Sequence, residues 1–318
     1  MTHPLRTIVV GIATLDGDDP VLATSIHLAE RTGATLHLVH AYRADEAPPG
    51  GSLETWISGT SRKSPEARLL ENRLRAHAEL LGPATETKCV ALPGTAGEVL
   101  PRYAAAVDAD VLVLAPTRRA GAAGVVLGTT ASRVLRASAV PVLVLRQPLA
   151  ERAPRRVLLP TDLSEHSARA LPAAAALAAA LAHPDTPMLF PLYVSASDVD
   201  TGPAAFVTSQ VEQAEAELDA FLASVPTATL QGTVRVGSPA HVILGVARDW
   251  DADLVVLGTH ARRGLPRFFL GSVAETVLRK ARCSALVIPP AAVVSTRAEQ
   301  EMGTAEPVAE REPLAEAW

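Results

Sequence analysis

Val107-Asp108-Ala109-Asp110-Val111-Leu112-Val113-Leu114-Ala115 returns later in the chain as Trp250-Asp251-Ala252-Asp253-Leu254-Val255-Val256-Leu257-Gly258, displaced by 143 residues. At the same displacement Gly94 falls on Gly237, Gly128 on Gly271, and Pro141-Val142-Leu143-Val144-Leu145 on Ser284-Ala285-Leu286-Val287-Ile288. A register kept from Gly94 to Leu145 marks an internal repeat rather than an accident of an alanine-rich composition. The starts of the copies correspond as well. Arg6-Thr7-Ile8-Val9-Val10-Gly11 resembles Arg155-Arg156-Val157-Leu158-Leu159-Pro160, now displaced by 149, so the second copy is shorter in its middle. The polar, proline-containing stretch Gln147–Pro154 is the natural boundary. The chain therefore divides into 1–147, a linker at 148–154, a second domain at 155–290 and a tail at 291–318.

Each copy alternates short apolar runs with amphipathic or alanine-rich segments. In the second, Val157–Pro160, Met188–Val194, Thr233–Val236, Leu254–Gly258 and Ala285–Ile288 read as strands. Glu165–Leu181, opened by Ser164 as N-cap, Pro203–Ser224, His241–Trp250 and Ser272–Ala281 read as helices. The first copy repeats this order, with Pro65–Leu81 as its long middle helix and Gly82 as the stop. Continuous apolar strands separated by helices predict an α/β fold: in each copy, a doubly wound parallel sheet of five strands covered on both faces.

At 318 residues, 48% hydrophobic and 20% charged, the chain has the balance of a globular protein with room for two domains. A net charge of −5 argues against a general nucleic-acid binder, and 3% aromatic residues leave little for a base-stacking platform. Cys89 and Cys283 are far apart in apolar stretches, which favours buried thiols and a reducing, cytoplasmic setting. The alanine-rich run Ala173–Ala182 lies between Pro172 and His183-Pro184 and is too short to span a bilayer. The tail carries six Glu against two Arg with Pro307 and Pro313, and its composition predicts disorder.

Gly258-Thr259-His260-Ala261-Arg262-Arg263-Gly264-Leu265-Pro266-Arg267-Phe268-Phe269-Leu270-Gly271-Ser272 leaves the carboxyl end of one expected strand and enters a helix. Ligands of doubly wound sheets bind at that edge. A glycine at the strand end lets backbone approach a phosphate, and free amides at the next helix start attract the anion.

This pattern is similar to the universal stress protein family, whose nucleotide-binding members carry Gly, two residues, Gly, nine residues, then Gly-Ser or Gly-Thr. Laid on this chain, the motif gives Gly258, Ala261 at the second glycine position, and Gly271-Ser272. Pro160-Thr161-Asp162-Leu163-Ser164 resembles the family's first strand-to-helix turn, whose acid lies beside the adenine. Tyr193-Val194 falls where the family packs an apolar residue on the base. The resemblance covers residues 5–146 and 155–289. It implies two Rossmann-like, adenine-nucleotide alpha-hydrolase-like domains packed about a pseudo-two-fold axis, meeting at their final strands, Val142–Leu145 and Ala285–Ile288. It further implies ATP, with or without Mg²⁺, held in the C-terminal half by Pro160, Thr161, Asp162, Val194, Leu257, Gly258, His260, Ala261, Gly271, Ser272 and Val273. Ala261 is the departure. If that position needs positive φ, alanine costs on the order of 1 kcal/mol, about fivefold in affinity; contact with a phosphate oxygen would cost more.

The first copy has lost more. Ala115 and Arg118 stand at two glycine positions, Ala13 stands where the second copy has Asp162, and Gly128-Thr129 alone survives. It is expected to serve as a structural partner without a nucleotide. His260 has no second ligand at metal spacing and reads as a loop histidine. Arg262, Arg263 and Arg267 either screen phosphate charge or solvate the surface. Asp108, Asp110, Asp251 and Asp253 read as turn and capping acids. No Gly-Lys-Ser/Thr loop, G-x-S-x-G elbow or His-Glu-x-x-His pair occurs. The expected protein is a cytoplasmic, ATP-binding stress sensor or regulator without dedicated catalysis. It would work through protein partners as an intramolecular pseudo-dimer, with homodimers of whole chains a further option. Two alternatives stay open: a scaffold of the same fold that binds no nucleotide, and a slow ATPase.

Overall fold

A computed structural model describes residues 5–15, 20–43, 55, 63–80, 86–115, 127–146, 153–196, 204–225, 230–258 and 270–290. The first copy runs β1 (Thr7–Gly11), α1 (Pro20–Thr32), β2 (Thr35–Tyr42), α2 (Pro65–Leu80), β3 (Thr87–Pro93), α3 (Ala96–Ala106), β4 (Val111–Leu114), α4 (Thr129–Ala137) and β5 (Val142–Val144). The second runs β6 (Arg156–Thr161), α5 (Glu165–Ala182), β7 (Met188–Ser195), α6 (Ala204–Ser224), β8 (Thr233–Val236), α7 (Pro239–Asp249), β9 (Leu254–Gly258), α8 (Ser272–Lys280) and β10 (Ser284–Ile288). The expected helix stop at Gly82 and the acidic tail lie outside the described residues.

Strand order is β3-β2-β1-β4-β5-β10-β9-β6-β7-β8. Within each copy every pairing is parallel, and the two copies join through β5 and β10, which run antiparallel. Leu143 pairs with Leu286, its own counterpart in the repeat, and Val142↔Val287 and Val144↔Ala285 flank it symmetrically. That register places the pseudo-two-fold axis between the two leucines. The two five-stranded sheets expected from the sequence are thus one continuous sheet of ten strands. Pairing the last strands satisfies backbone groups that either copy alone would leave at an open edge.

Side chains alternate between two cores, as the pleat requires. Ile8, Val10, Val113, Leu143, Val157, Leu159, Val256 and Leu286 face α1, α2, α5 and α6. Val9, Leu112, Leu114, Val144, Leu158, Val255, Leu257 and Val287 face α3, α4, α7 and α8. Both cores run across the two copies, so the halves share their interior.

The repeated acids do more than turn the chain, which corrects the reading of Asp110 and Asp253 as turn and capping groups. Asp110 Oδ2 accepts from the amides of Arg6 and Thr7 at 2.7 and 2.9 Å, and its own amide donates to the Thr7 oxygen at 2.9 Å. Asp253 Oδ2 does the same for Arg155 and Arg156, both at 2.9 Å, and its amide donates to the Arg156 oxygen. Each aspartate ties the entrance of one central strand to the next. Asp108 and Asp251, two residues earlier, take positive φ where helices α3 and α7 end, so these two are turn residues. Gly94 and Gly237 adopt φ +129 and +136 at equivalent strand exits, a backbone state that explains why the repeat keeps glycine there.

Candidate functional site

The crevice lies where strand order reverses, between the carboxyl ends of β6 and β9. Their ladder registers two pairs, Val157↔Leu254 and Leu158↔Val255, and then stops. Pro160 has no amide to continue it. The equivalent ladder in the first copy runs four pairs, to Gly11↔Leu114. There a Cβ built on Gly11 would stand 2.7 Å from Leu114 Cδ2 and 2.8 Å from Leu100 Cδ1, so leucine side chains already fill the space. Gly11 is the counterpart of Pro160; at Gly258, the exit of β9, no described atom lies within 4 Å of such a Cβ, whereas its own counterpart Ala115 carries a methyl packed against the core. Gly258 is exposed and needs no positive φ, so neither packing nor backbone conformation demands a glycine. What its missing side chain leaves is room above the strand end.

The turn out of β6 is built by its own polar side chains. Thr161 Oγ1 accepts from the Leu163 amide at 3.1 Å, and Leu163 is held at φ +59, a strained value for leucine. Asp162 Oδ1 accepts from the Ser164 amide at 3.1 Å and from Ser167 Oγ at 2.6 Å. Ser164 caps α5, its hydroxyl oxygen accepting from the Ser167 amide at 3.1 Å. These bonds fix Asp162 at the rim through one oxygen and leave the other turned from that network.

Across the crevice α8 begins at Gly271, whose φ −59 and ψ 146 are open to any residue, and no side chain caps the helix. Its first turn closes with the Glu275 amide on the Gly271 oxygen at 2.8 Å, which leaves the amides before it without intrahelical acceptors. In the first copy α4 begins the same way at Gly128, also uncapped. The two helix entrances are alike; the strand exits and the turns differ.

The site residues expected from the sequence gather at this edge but divide between its faces. Val194 and Leu257 belong to the core facing α7 and α8, and Val273 packs against it, while Pro160 lines a cleft on the α5 side. Thr161 and Gly258 line the same cleft on that opposite face, between α5 and the sheet, with Leu159, Val256 and Ile288. His166, Ser167, Ala170, Leu171 and Ala174 of α5 complete that cleft, and sequence reasoning missed them. Their three- and four-residue spacing was the available signal, but it is also that of an ordinary core-facing stripe. Gly271 and Ser272 open α8 as expected. His260 and Ala261, with Arg262, Arg263 and Arg267, lie outside the described residues.

Among the described residues no group of three His, Cys, Asp or Glu is placed to hold a metal ion, and no helix is long and apolar enough to cross a membrane. Both cysteines are free thiols; Cys89 is half-buried, and burial pushes the Cys283 thiol up to about 11.

The family model described as Universal stress protein family matches residues 4–146 and again 154–289. A universal stress protein of Synechocystis sp. is 47% identical over 55 residues, 17% of this chain and 36% of the relative. One from Methanocaldococcus jannaschii is 48% identical over 52 residues, 16% of this chain and 31% of the relative. These alignments thus span about a third of the curated relatives' length. Among solved structures, a functionally unknown protein from Pseudomonas aeruginosa PAO1 superposes with TM-score 0.63 at 20% identity, covering 94% of this chain and 98% of that one. A universal stress protein from Archaeoglobus fulgidus gives TM-score 0.53 at 18% identity, covering 88% and 95%. At these identities the structural likeness speaks for the fold of the whole tandem.

Proposed function

The chain belongs to the universal stress protein family, and on that premise we propose that its C-terminal half binds ATP and that the protein acts as a nucleotide-dependent sensor or regulator. The observation that carries this reading is the asymmetry of the two crevices. The β6–β9 ladder stops after Leu158, and among the described residues the space beside Gly258 is open where its counterpart in the first copy, Ala115, packs a methyl on the core. The residues fit the ligand. The uncapped amides at Ser272 and Val273 present a partial positive charge to phosphates. Gly258 gives those phosphates close access to backbone. Val194 and Leu257 on one face and Pro160 on the other offer apolar surface for a base, and Asp162 is held at the rim to accept from an exocyclic amine. Mg²⁺ would enter on the phosphates and keep most of its waters, since the described residues supply no carboxylate cage.

Among the described residues none supplies a general base beside the phosphate end, and the proposed role is binding and signalling to protein partners rather than turnover. The test is direct. Purified protein is denatured and the released small molecules are separated by chromatography, and the nucleotide-free protein is titrated with ATP and Mg²⁺ by calorimetry. A single site per chain with ATP recovered unhydrolysed is the expected outcome. No released nucleotide and no heat at millimolar ATP would leave a scaffold that binds no nucleotide, and steady release of ADP would make the protein an ATPase.

A further inference from the structure

Two arginines of the first copy reach the far ends of the two helices that frame the crevice. A helix leaves its last four carbonyls without intrahelical partners. Helix α1 solves this with Gly33 at φ +71, whose amide donates with that of Ala34 to the Ala29 oxygen. Its counterpart α5 has no glycine there and turns through His183-Pro184. The amides of His183 and Asp185 donate to the oxygens of Ala180 and Ala182. The Leu181 oxygen between them takes Nη2 of Arg31, from α1, at 3.2 Å. The end of α8 is treated alike. The Ala281 amide donates to the Val277 oxygen, and the next carbonyl, Leu278, accepts from Nη2 of Arg146, just beyond β5. The Arg146 amide also donates to Ser284 Oγ at 3.2 Å, at the entrance of β10.

The arrangement runs one way. Arg146 corresponds to Pro289 in the second copy and, counted from the helix ends at Thr32 and Ala182, Arg31 to Leu181, and neither has a side chain able to donate. Both guanidinium groups are half-buried, and burial lowers the pKa of each. They remain cations, since arginine stays charged far above neutral pH. A partly buried cation at a helix C-terminus offsets the negative end of the dipole with little screening. The opposite ends of the same helices are the Asp162–Ser164 turn and the Gly271–Val273 amides. A helix is stiff, so a shift at one end tilts the other, and anion sites tolerate errors of only about half an ångström.

We propose that Arg31 and Arg146 are positioning residues through which the first copy sets the geometry of the crevice in the second. Its functional arm rests on the ATP reading; its structural arm does not. The experiment uses the full chain with Arg31→Met, Arg146→Met and the matching lysine variants, read by ATP calorimetry and by amide hydrogen exchange without nucleotide. Each methionine variant is expected to bind ATP about fivefold more weakly. Exchange should quicken at the hydrogen-bonded amides of Ser164, Ser167 and Ala168 for Arg31→Met and of Glu275 for Arg146→Met, with that of Ser132 at the α4 start unchanged. Lysine, which keeps the charge, should recover much of both. Unchanged exchange at those starts, or equal quickening at α4, would overturn the proposal. If the parent chain binds no ATP, the exchange arm still decides it, and the function proposed above fails by itself.

Discussion

In the first copy, β1 and β4 stay paired to Gly11↔Leu114, and Leu114 and Leu100 crowd the glycine at the exit. In the second, the β6–β9 ladder registers no pair beyond Leu158↔Val255, Pro160 lies two residues on, and no described atom lies within 4 Å of a Cβ built on Gly258. The entrances of the same strands are kept alike, each clamped by one aspartate, Asp110 or Asp253, on two backbone amides. The copies thus differ at the carboxyl edge, where ligands bind in such sheets, while the aspartate clamps at the amino edge are kept. Leucines pack the exit of β1 in the first copy, while the second keeps a cleft between α5 and the sheet.

The comparison breaks most sharply at the helix entrances, which look the same in both copies. Gly271→Val should remove measurable ATP binding, because a branched side chain at the first turn blocks the amides that meet the phosphates. Gly128→Val should leave binding intact. Calorimetry on the two variants decides the matter, and equal losses would show that both halves hold nucleotide.

Next in size is a contrast in stability. Gly11→Ala forces a methyl against Leu114 and Leu100 inside a packed core and should cost about 1–3 kcal/mol in denaturant unfolding, with ATP affinity kept. Gly258→Ala meets no described atom and should leave stability within about 0.5 kcal/mol while weakening ATP. Equal destabilisation by the two would mean that the crevices are not different.

Much of this architecture could be read from the chain. The shared register identified the repeat, the apolar runs located the strands, and the family resemblance pointed to Val142–Leu145 and Ala285–Ile288 as the strands where the copies meet. The aspartate clamps were not legible, because the partners of Asp110 are more than a hundred residues away and become neighbours only once β1 lies beside β4. Pro160 was a visible signal that the β6 ladder would end early. The closure at Gly11 was not, since it depends on which leucines converge there. The α5 side of the site, from His166 to Ala174, was hidden for a different reason: a cleft-lining stripe and a core stripe share one period.

Ala261→Gly sharpens the contrast from the other side. It restores the missing glycine of the motif, and ATP binding should tighten about fivefold if that position needs positive φ. The same calorimetric titration checks it. No change would mean that alanine already fits and that the departure from the family pattern is neutral.

The smallest expected effect separates the copies by pH. His37 and Tyr103 share a buried hydrogen bond at 2.8 Å in the first copy. The second copy has Phe190 beside the equivalent strand position, in ring contact with Trp250 at 4.9 Å. Burial, aided by Lys88 and opposed by Glu86, holds the His37 pKa below its ordinary 6.5. The unfolded chain thus takes up a proton that the folded one resists. Stability from this group is complete above pH 6.5 and is lost as pH falls from 6.5 toward the lowered folded value, by less than about 1.4 kcal/mol per pH unit. His37→Phe should lower stability somewhat at every pH, because Tyr103 loses its partner, yet flatten the decline between pH 6.5 and 5 in urea unfolding. A variant whose curve runs parallel to the parent's would show that the acid sensitivity of the first copy lies elsewhere.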